Sequence, residues 1–135
     1  MSASAVVLTL FIGWALLLLL IMEVMRGALV VSGQVRSNGF TPDNANLSPF
    51  MQRLARAHAN CIEGLPLFGG LLLVAIATGR TDVTDPLAPW LLAARVAQST
   101  VHLSSLSTVA VNVRFAFFVV QLTIGIYWTW ALVMP

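Results

Sequence analysis

Four long stretches of the chain contain no Asp, Glu, Lys or Arg: residues 1–22, 64–79, 96–113 and 115–135. A helix needs roughly 20 residues to cross a hydrocarbon core of about 30 Å, and each stretch reaches that length alone or with a few polar neighbours. The pattern predicts one all-α domain over residues 1–135, an integral membrane bundle of four helices. Their approximate ranges are 5–31, 50–78, 87–106 and 112–133.

Turn-forming residues separate the predicted helices. The first connection contains FTPDNANLSP, in which Ser48 is a natural N-cap for the second helix. The second connection, GRTDVTDP, combines Gly, Asp and Pro, and the third helix takes Pro86 or Pro89 in its first turn. The segment SSLSTVAVNV has few strong helix formers, so the sequence predicts a turn there and a fourth helix that begins near Asn112.

Composition agrees with a membrane protein. Hydrophobic residues make up 59% of the 135-residue chain and charged residues 9%, which does not describe a water-soluble core. MSASA lacks a positively charged n-region, so the first apolar stretch is predicted to be a retained helix rather than a signal peptide. The single Cys61 cannot form an internal disulfide, and His and Cys do not stand at metal-ligand spacing. A net charge of +2 without a basic cluster does not support nucleic-acid binding.

The arginines predict the orientation of the helices in the membrane, because short loops rich in arginine stay on the cytoplasmic side. Four arginines flank the first connection: Arg26, Arg36, Arg53 and Arg56. The second connection balances Arg80 against Asp82 and Asp85. Both termini are therefore predicted outside, with the first and third connections in the cytoplasm. The compact chain and short loops favour a bacterial inner membrane.

Polar residues recur at helical spacing inside two predicted spans. In RLARAHANCIEGLPLFGG, residues 53–70, steps of 3, 4 and 3 put four polar side chains on one face: Arg53, Arg56, Asn60 and Glu63. The third helix repeats the design with Arg95, Gln98 or Ser99, and His102. Charged groups are costly in lipid, so these faces should line a bundle interior or a cavity, and the two stripes predict a polar seam.

Arginines from four helices are expected to converge on the cytoplasmic half: Arg36, Arg53, Arg56 and Arg114. Their planar guanidinium groups grip carboxylates, which favours an anionic, water-soluble ligand that enters from that side. Two alternatives remain open. The stripes could serve as salt-bridged contacts between helices, as Glu23 and Arg26 do if they neutralise each other. A proton or ion pathway is disfavoured, because the arginines would repel cations.

Several segments together resemble the MAPEG family, membrane-associated proteins in eicosanoid and glutathione metabolism. RLARAHANCIEGLPLF resembles the second-helix signature of the family, which reads approximately R-A-H-x-N-x-x-E followed by an apolar stretch with Pro. SGQVR at 32–36 is similar to the end of the first helix, and AARVAQSTVHL at 93–103 is similar to the third-helix segment. Arg114 stands near the start of the fourth helix, so the resemblance covers nearly the whole chain.

The resemblance implies a homotrimer that binds glutathione between neighbouring subunits, in a pocket open to the cytoplasmic half of the membrane. Arg114 is the implied catalytic residue, whose guanidinium would stabilise the glutathione thiolate. Glu63 would accept the ligand's ammonium group, and Asn60 would bond its backbone. The full set of candidate glutathione-binding residues is Arg36, Arg56, Asn60, Glu63, Arg95, Gln98 and His102.

The implied function is a glutathione-dependent transferase or peroxidase that acts on hydrophobic electrophiles or hydroperoxides reaching the site from the bilayer. The alternative is a non-catalytic MAPEG-like subunit that binds lipid or serves as an accessory protein. Three departures from the best-matching branch of the family favour this alternative. They are Ala59 in place of an arginine, Gln98 in place of a histidine and Phe115 in place of a hydroxyl residue.

Overall fold

Serine hydroxyl groups start three of the helices. Ser2, Ser48 and Ser107 each accept a hydrogen bond from the backbone N–H three residues further on, at 3.1, 3.3 and 3.2 Å. Each bond satisfies a donor that has no partner within the helix. The last helix consequently begins at Thr108, before the predicted start near Asn112, because the Ser107 cap supplies a start signal that helix propensity alone does not.

The computed structural model describes residues 1–135, and all of its regular structure is helical, which confirms that the chain is all-α. The elements are α1 (Ala3–Val31), α2 (Pro49–Gly64), a π-helical segment (Leu65–Gly69), α3 (Gly70–Ala77), α4 (Thr81–Thr84), α5 (Ala88–Ser104) and α6 (Thr108–Val133).

The second predicted helix is interrupted. Pro66 has no backbone N–H to donate and its ring crowds the preceding turn, so a regular α-helix is disfavoured at this position. The chain responds with the five-residue π-helical segment between α2 and α3, a wider turn that accommodates the proline. The sequence predicted one continuous helix here, and the proline inside it is the physical reason for the difference.

One end of the bundle, here called the termini end, joins the start of α1 to the end of α6. The Asp85 carboxylate accepts the backbone N–H and the hydroxyl of Ser4, at 2.8 and 2.6 Å. Arg80 donates to three backbone carbonyls around the end of α6, at 2.8 to 3.1 Å. The short helix α4 lies between these two residues, so one segment holds both chain ends.

Replacing Arg80 with glutamine should destabilise the termini end. Three carbonyls at the negative end of the α6 dipole would lose a cationic donor, so the free energy of unfolding should fall by about 1–2 kcal/mol. Thermal unfolding in detergent measures this loss. Asp82→Asn is the matched control, because Asp82 is exposed and makes no hydrogen bond. Equal melting temperatures for the two variants would contradict the role given to Arg80.

The opposite end, here called the loop end, contains the connection from α1 to α2. Asn44 is buried there with a positive φ of 55°. Its Nδ2 donates to the Met51 carbonyl at 2.8 Å, and its Oδ1 accepts from Arg26 at 2.5 and 3.0 Å. Arg26 also forms the predicted ion pair with Glu23, at 3.4 Å. The loop is thereby fixed to both helices that it connects.

Hydrogen bonds within the loop also order its acidic residue. The Thr41 hydroxyl and the Ala45 N–H donate to the Asp43 carboxylate at 2.7 and 3.1 Å. These two bonds lower the pKa of Asp43 below its ordinary value, because they stabilise the ionised form. The Asp43 side chain therefore stays a carboxylate throughout the physiological pH range.

The helices run alternately between the two ends, since α1 starts at the termini end and α6 finishes there. Three helical segments are long and apolar enough to cross a membrane: Ala3–Val31, Pro49–Ala77 and Thr108–Val133. The fourth, α5, has 17 residues, and at about 1.5 Å per residue it falls slightly short of a hydrocarbon core of about 30 Å. The core between the helices contains large fully buried side chains, including Phe11, Leu18, Leu54, Leu72, Leu91 and Trp128.

Candidate functional site

The segments α2 and α3 and the π-helical segment between them form one continuous column, here called the α2–α3 column. A cleft of about 640 Å³ opens between this column and α6. It exists because α6 packs mainly against α5 and meets α3 only sparsely. Apolar side chains from both sides form most of its wall: Leu67, Leu71, Val74, Phe118, Leu122 and Ile126. Asn60, Glu63 and Arg95 line it as well and give it one polar end. An apolar molecule from the bilayer and a polar ligand can both find matching surface here.

Arg95 links the two polar stripes that the sequence predicts. Its side chain is only 1% exposed, and Nη1 donates to Asn60 Oδ1 at 2.5 Å. Its Cζ lies 5.7 Å from the centroid of the Phe11 ring, which gives the guanidinium an aromatic face. No carboxylate pairs with Arg95, since the one ion pair in the chain joins Glu23 and Arg26. The predicted seam between α2 and α5 therefore forms through an amide rather than through a salt bridge.

Gly64 makes the position of Arg95 possible. A Cβ at residue 64 would lie 2.6 Å from Arg95 Nη2, closer than real Cβ atoms approach other heavy atoms. Small residues in membrane helices commonly allow neighbouring helices to pack closely. In the structure the space that the glycine leaves holds a guanidinium group instead.

Glu63 has no partner in the chain. Its side chain is exposed and makes neither an ion pair nor a hydrogen bond. Since α2 begins at Pro49, Glu63 lies about 20 Å along that column at about 1.5 Å per residue, well inside the bilayer. An uncovered carboxylate at this depth is costly, which makes Glu63 a candidate functional residue.

A second polar group lies closer to the loop end. Ser99 Oγ, His102 Nε2 and Arg114 Nε are all buried, and none of the three has a hydrogen-bond partner. Arg56 and Arg114 are both within electrostatic range of His102, so this group draws on α2, α5 and α6. Buried polar atoms usually have a partner, so these three atoms on α5 and α6 are candidates for hydrogen bonds to a ligand.

Gln98 bonds to α6 rather than to α2. Its Oε1 accepts from Gln121 Nε2 at 2.8 Å, and the same Nε2 donates to the Phe117 carbonyl at 3.1 Å. Both glutamine side chains are buried. Sequence reasoning missed Gln121, although its signal was visible: it is the one amide side chain in the uncharged stretch 115–135.

Two predicted residues belong neither to the polar end of the cleft nor to the polar group near the loop end. Arg36 is exposed beyond the end of α1, and its side chain makes no hydrogen bond within the chain. Arg53 donates from Nε to the Leu103 carbonyl at 2.9 Å and so closes the end of α5. Of the four arginines that were expected to converge, Arg56 and Arg114 lie near His102, and Arg36 and Arg53 do not belong to this group.

The helices and the polar-ended cleft define an integral membrane protein with a candidate site for small molecules. The MAPEG family model matches residues 4–134, which is nearly the whole chain. The protein belongs to the MAPEG family, and this confirms the resemblance seen in its sequence motifs. The family as a whole is associated with glutathione and eicosanoid metabolism. Neither the curated proteins nor the solved structures contain a significant match.

Proposed function

We propose that the protein is a glutathione-dependent transferase or peroxidase that acts on hydrophobic electrophiles or hydroperoxides in the membrane. The observation that supports this most directly is the cleft, where Asn60, Glu63 and Arg95 form a polar end against apolar walls. A polar thiol compound and an apolar acceptor must meet in such an enzyme. The cleft offers a matching surface to each of them.

The chemistry of glutathione fits the polar residues. Glutathione carries two carboxylates, one ammonium group and one thiol. Glu63, which lacks a partner, is suited to the ammonium group, and Arg56 is suited to a carboxylate. The Asn60 amide, at the border of the cleft, is placed to bond the peptide backbone of the ligand. This assignment satisfies charges that would otherwise be uncovered inside the bilayer.

Arg114 is the proposed catalytic residue. Bound glutathione would supply the sulfur nucleophile, which reacts as the thiolate. An isolated thiol has a pKa of about 8.5, and a neighbouring guanidinium favours ionisation at neutral pH. Arg114 is suited to this task because its Nε is buried and makes no hydrogen bond within the chain. His102, equally without a partner at Nε2, can bond the same ligand.

A homotrimer with four crossing helices per chain completes the proposal. Glu63, Arg56 and Arg36 are exposed on the single chain, and a neighbouring subunit would cover them at a shared site. The loop end, which contains the first and third connections, faces the cytoplasm in this assignment. Glutathione would enter from that side, and the protein would reside in a bacterial inner membrane.

A non-catalytic subunit that binds lipid is the second candidate. Phe115 and Ala59 replace polar residues of the best-matching branch, and both are exposed. The structure adds that Gln98 bonds to Gln121 and so has its amide oxygen occupied without a ligand. A lipid tail in the apolar part of the cleft would not need the polar side chains that Phe115 and Ala59 replace.

Titration of the purified protein with glutathione separates the two candidates. The unmodified protein should bind glutathione at millimolar concentration or below, and Glu63→Gln should weaken binding at least about tenfold by removing the ammonium partner. Isothermal titration calorimetry in detergent measures both. Glu23→Gln is the matched control, because Glu23 pairs with Arg26 and lies outside the site. Absence of binding at millimolar glutathione would reject the enzyme and leave the lipid-binding candidate.

A further inference from the structure

Arg95 is a buried cation whose only hydrogen-bond partner is Asn60. Its Nη1 lies 2.5 Å from Asn60 Oδ1 and 3.5 Å from the Asn60 carbonyl oxygen. Its Nε is buried and makes no hydrogen bond. Burying a guanidinium is costly unless the surrounding groups repay it, and here no carboxylate does so. Apolar packing alone therefore does not account for a buried guanidinium at position 95.

The contact fixes which way the Asn60 amide faces. An asparagine amide presents an acceptor oxygen on one side and a donor NH2 group on the other. A guanidinium has donors only, so it can meet the oxygen and never the NH2 group. With Oδ1 held against Arg95, the NH2 group of Asn60 is turned away from the guanidinium and makes no hydrogen bond within the chain. Asn60 lines the cleft, as Arg95 does, so this NH2 group is a free donor at the polar end of the cleft.

We propose that Arg95 is a positioning residue that holds the Asn60 amide with its NH2 group toward the cleft. The site thereby favours a ligand group that accepts a hydrogen bond, a carbonyl or carboxylate oxygen, at that position. That glutathione supplies this oxygen rests on the proposed function, whereas the orientation of the amide does not. Gly64 belongs to the same arrangement, because a side chain there would displace the guanidinium.

The first test needs no ligand. Arg95→Met and Asn60→Ala, alone and combined, are compared by thermal unfolding in detergent. If Arg95 acts through Asn60, the two effects are coupled, and the double variant should melt close to the lower of the two single variants. Asn60→Asp keeps an oxygen toward Arg95 and should retain the melting temperature of the unmodified protein. Additive losses would overturn the proposed coupling.

The second test uses glutathione and a chlorinated aromatic acceptor. Arg95→Met should raise KM for glutathione about tenfold and leave kcat at saturating glutathione within about twofold. The reason is that the Asn60 amide is no longer oriented for binding, whereas the residue that activates the thiol is unchanged. Arg95→Lys should restore part of the affinity. Asn60→Asp should keep its stability and still bind glutathione at least about tenfold more weakly, because an oxygen replaces the outward donor. A loss for the double variant that equals the product of the single losses would mean that Arg95 contacts the ligand itself.

Gly64→Ala keeps the proposal testable if Arg95→Met fails to fold. The added methyl group must displace the guanidinium from its present position, which disturbs its bond to Asn60, so KM for glutathione should rise as it does in Arg95→Met. Gly13→Ala is the matched control, since a Cβ there meets nothing within 4 Å. If the unmodified protein binds no glutathione, the proposed function fails, whereas the unfolding measurements still test whether Arg95 holds the Asn60 amide.

Discussion

Arg114→Ala is expected to lower kcat/KM for conjugation of glutathione to a chlorinated aromatic acceptor by at least about a hundredfold at pH 7. The guanidinium is the one cationic group of α6, and its Nε is buried without a protein partner. Without it, the thiol returns toward its ordinary pKa of about 8.5, so the thiolate fraction at neutral pH falls. Initial rates measured by absorbance give the result directly.

The pH profile separates this role from simple damage to the site. In the proposed mechanism Arg114 lowers the pKa of the bound thiol, so the rate of the unmodified protein should already be near its plateau at neutral pH. In Arg114→Ala the rate should keep rising up to about pH 8.5–9, because the thiol then ionises without help from a guanidinium. The difference in rate between the variant and the unmodified protein should therefore shrink at high pH. Arg114→Lys should retain part of the rate at pH 7. Asn112→Ala, an exposed neighbour on α6, is the control with unchanged turnover. Full turnover of Arg114→Ala would remove this residue from its proposed role.

Gln121→Leu is expected to lower the free energy of unfolding by about 1–3 kcal/mol. The substitution leaves the Gln98 amide oxygen buried between α5 and α6 without its 2.8 Å partner. Replacing both glutamines with leucine removes the unsatisfied group, so the double variant should be close to the unmodified protein. Thermal unfolding of the four proteins in detergent measures the coupling.

Thr123→Val is the matched control for the amide pair. Its hydroxyl donates to the Val119 carbonyl within α6 at 2.8 Å, and the residue is exposed. Its effect should stay within about 0.5 kcal/mol. A double leucine variant that is less stable than either single variant would show that the two glutamines do not depend on each other.

The sequence allows the polar faces to be predicted, because side chains three and four residues apart share one side of a helix. Asn60 and Arg95 were placed on the correct faces by that spacing, and their contact follows once α2 and α5 pack together. Family membership was equally visible, because its motifs run nearly the length of the chain. These predictions depend on local periodicity and on short motifs, which a single sequence displays.

Other features depend on partners that are distant in the sequence. Gln121 and Gln98 are 23 residues apart, and nothing local shows that their amides meet. A glycine at position 64 is compatible with close helix packing, and only the structure shows that Arg95 occupies the space beside it. The effect of Pro66 is only partly predictable. The sequence shows a proline inside the helix, but it does not show whether the helix responds with a kink or with a π-helical segment.

The π-helical segment sets the angle between the two halves of the cleft. Asn60 and Glu63 precede it, whereas Leu71 and Val74 follow it. The hydrogen bonds of a π-helix span five residues instead of four, so a π-helical turn takes up about one residue more than an α-helical turn. Leu65–Gly69 therefore accommodates an extra residue next to Pro66 while the column stays helical on both sides, and the polar and apolar residues can border one cleft.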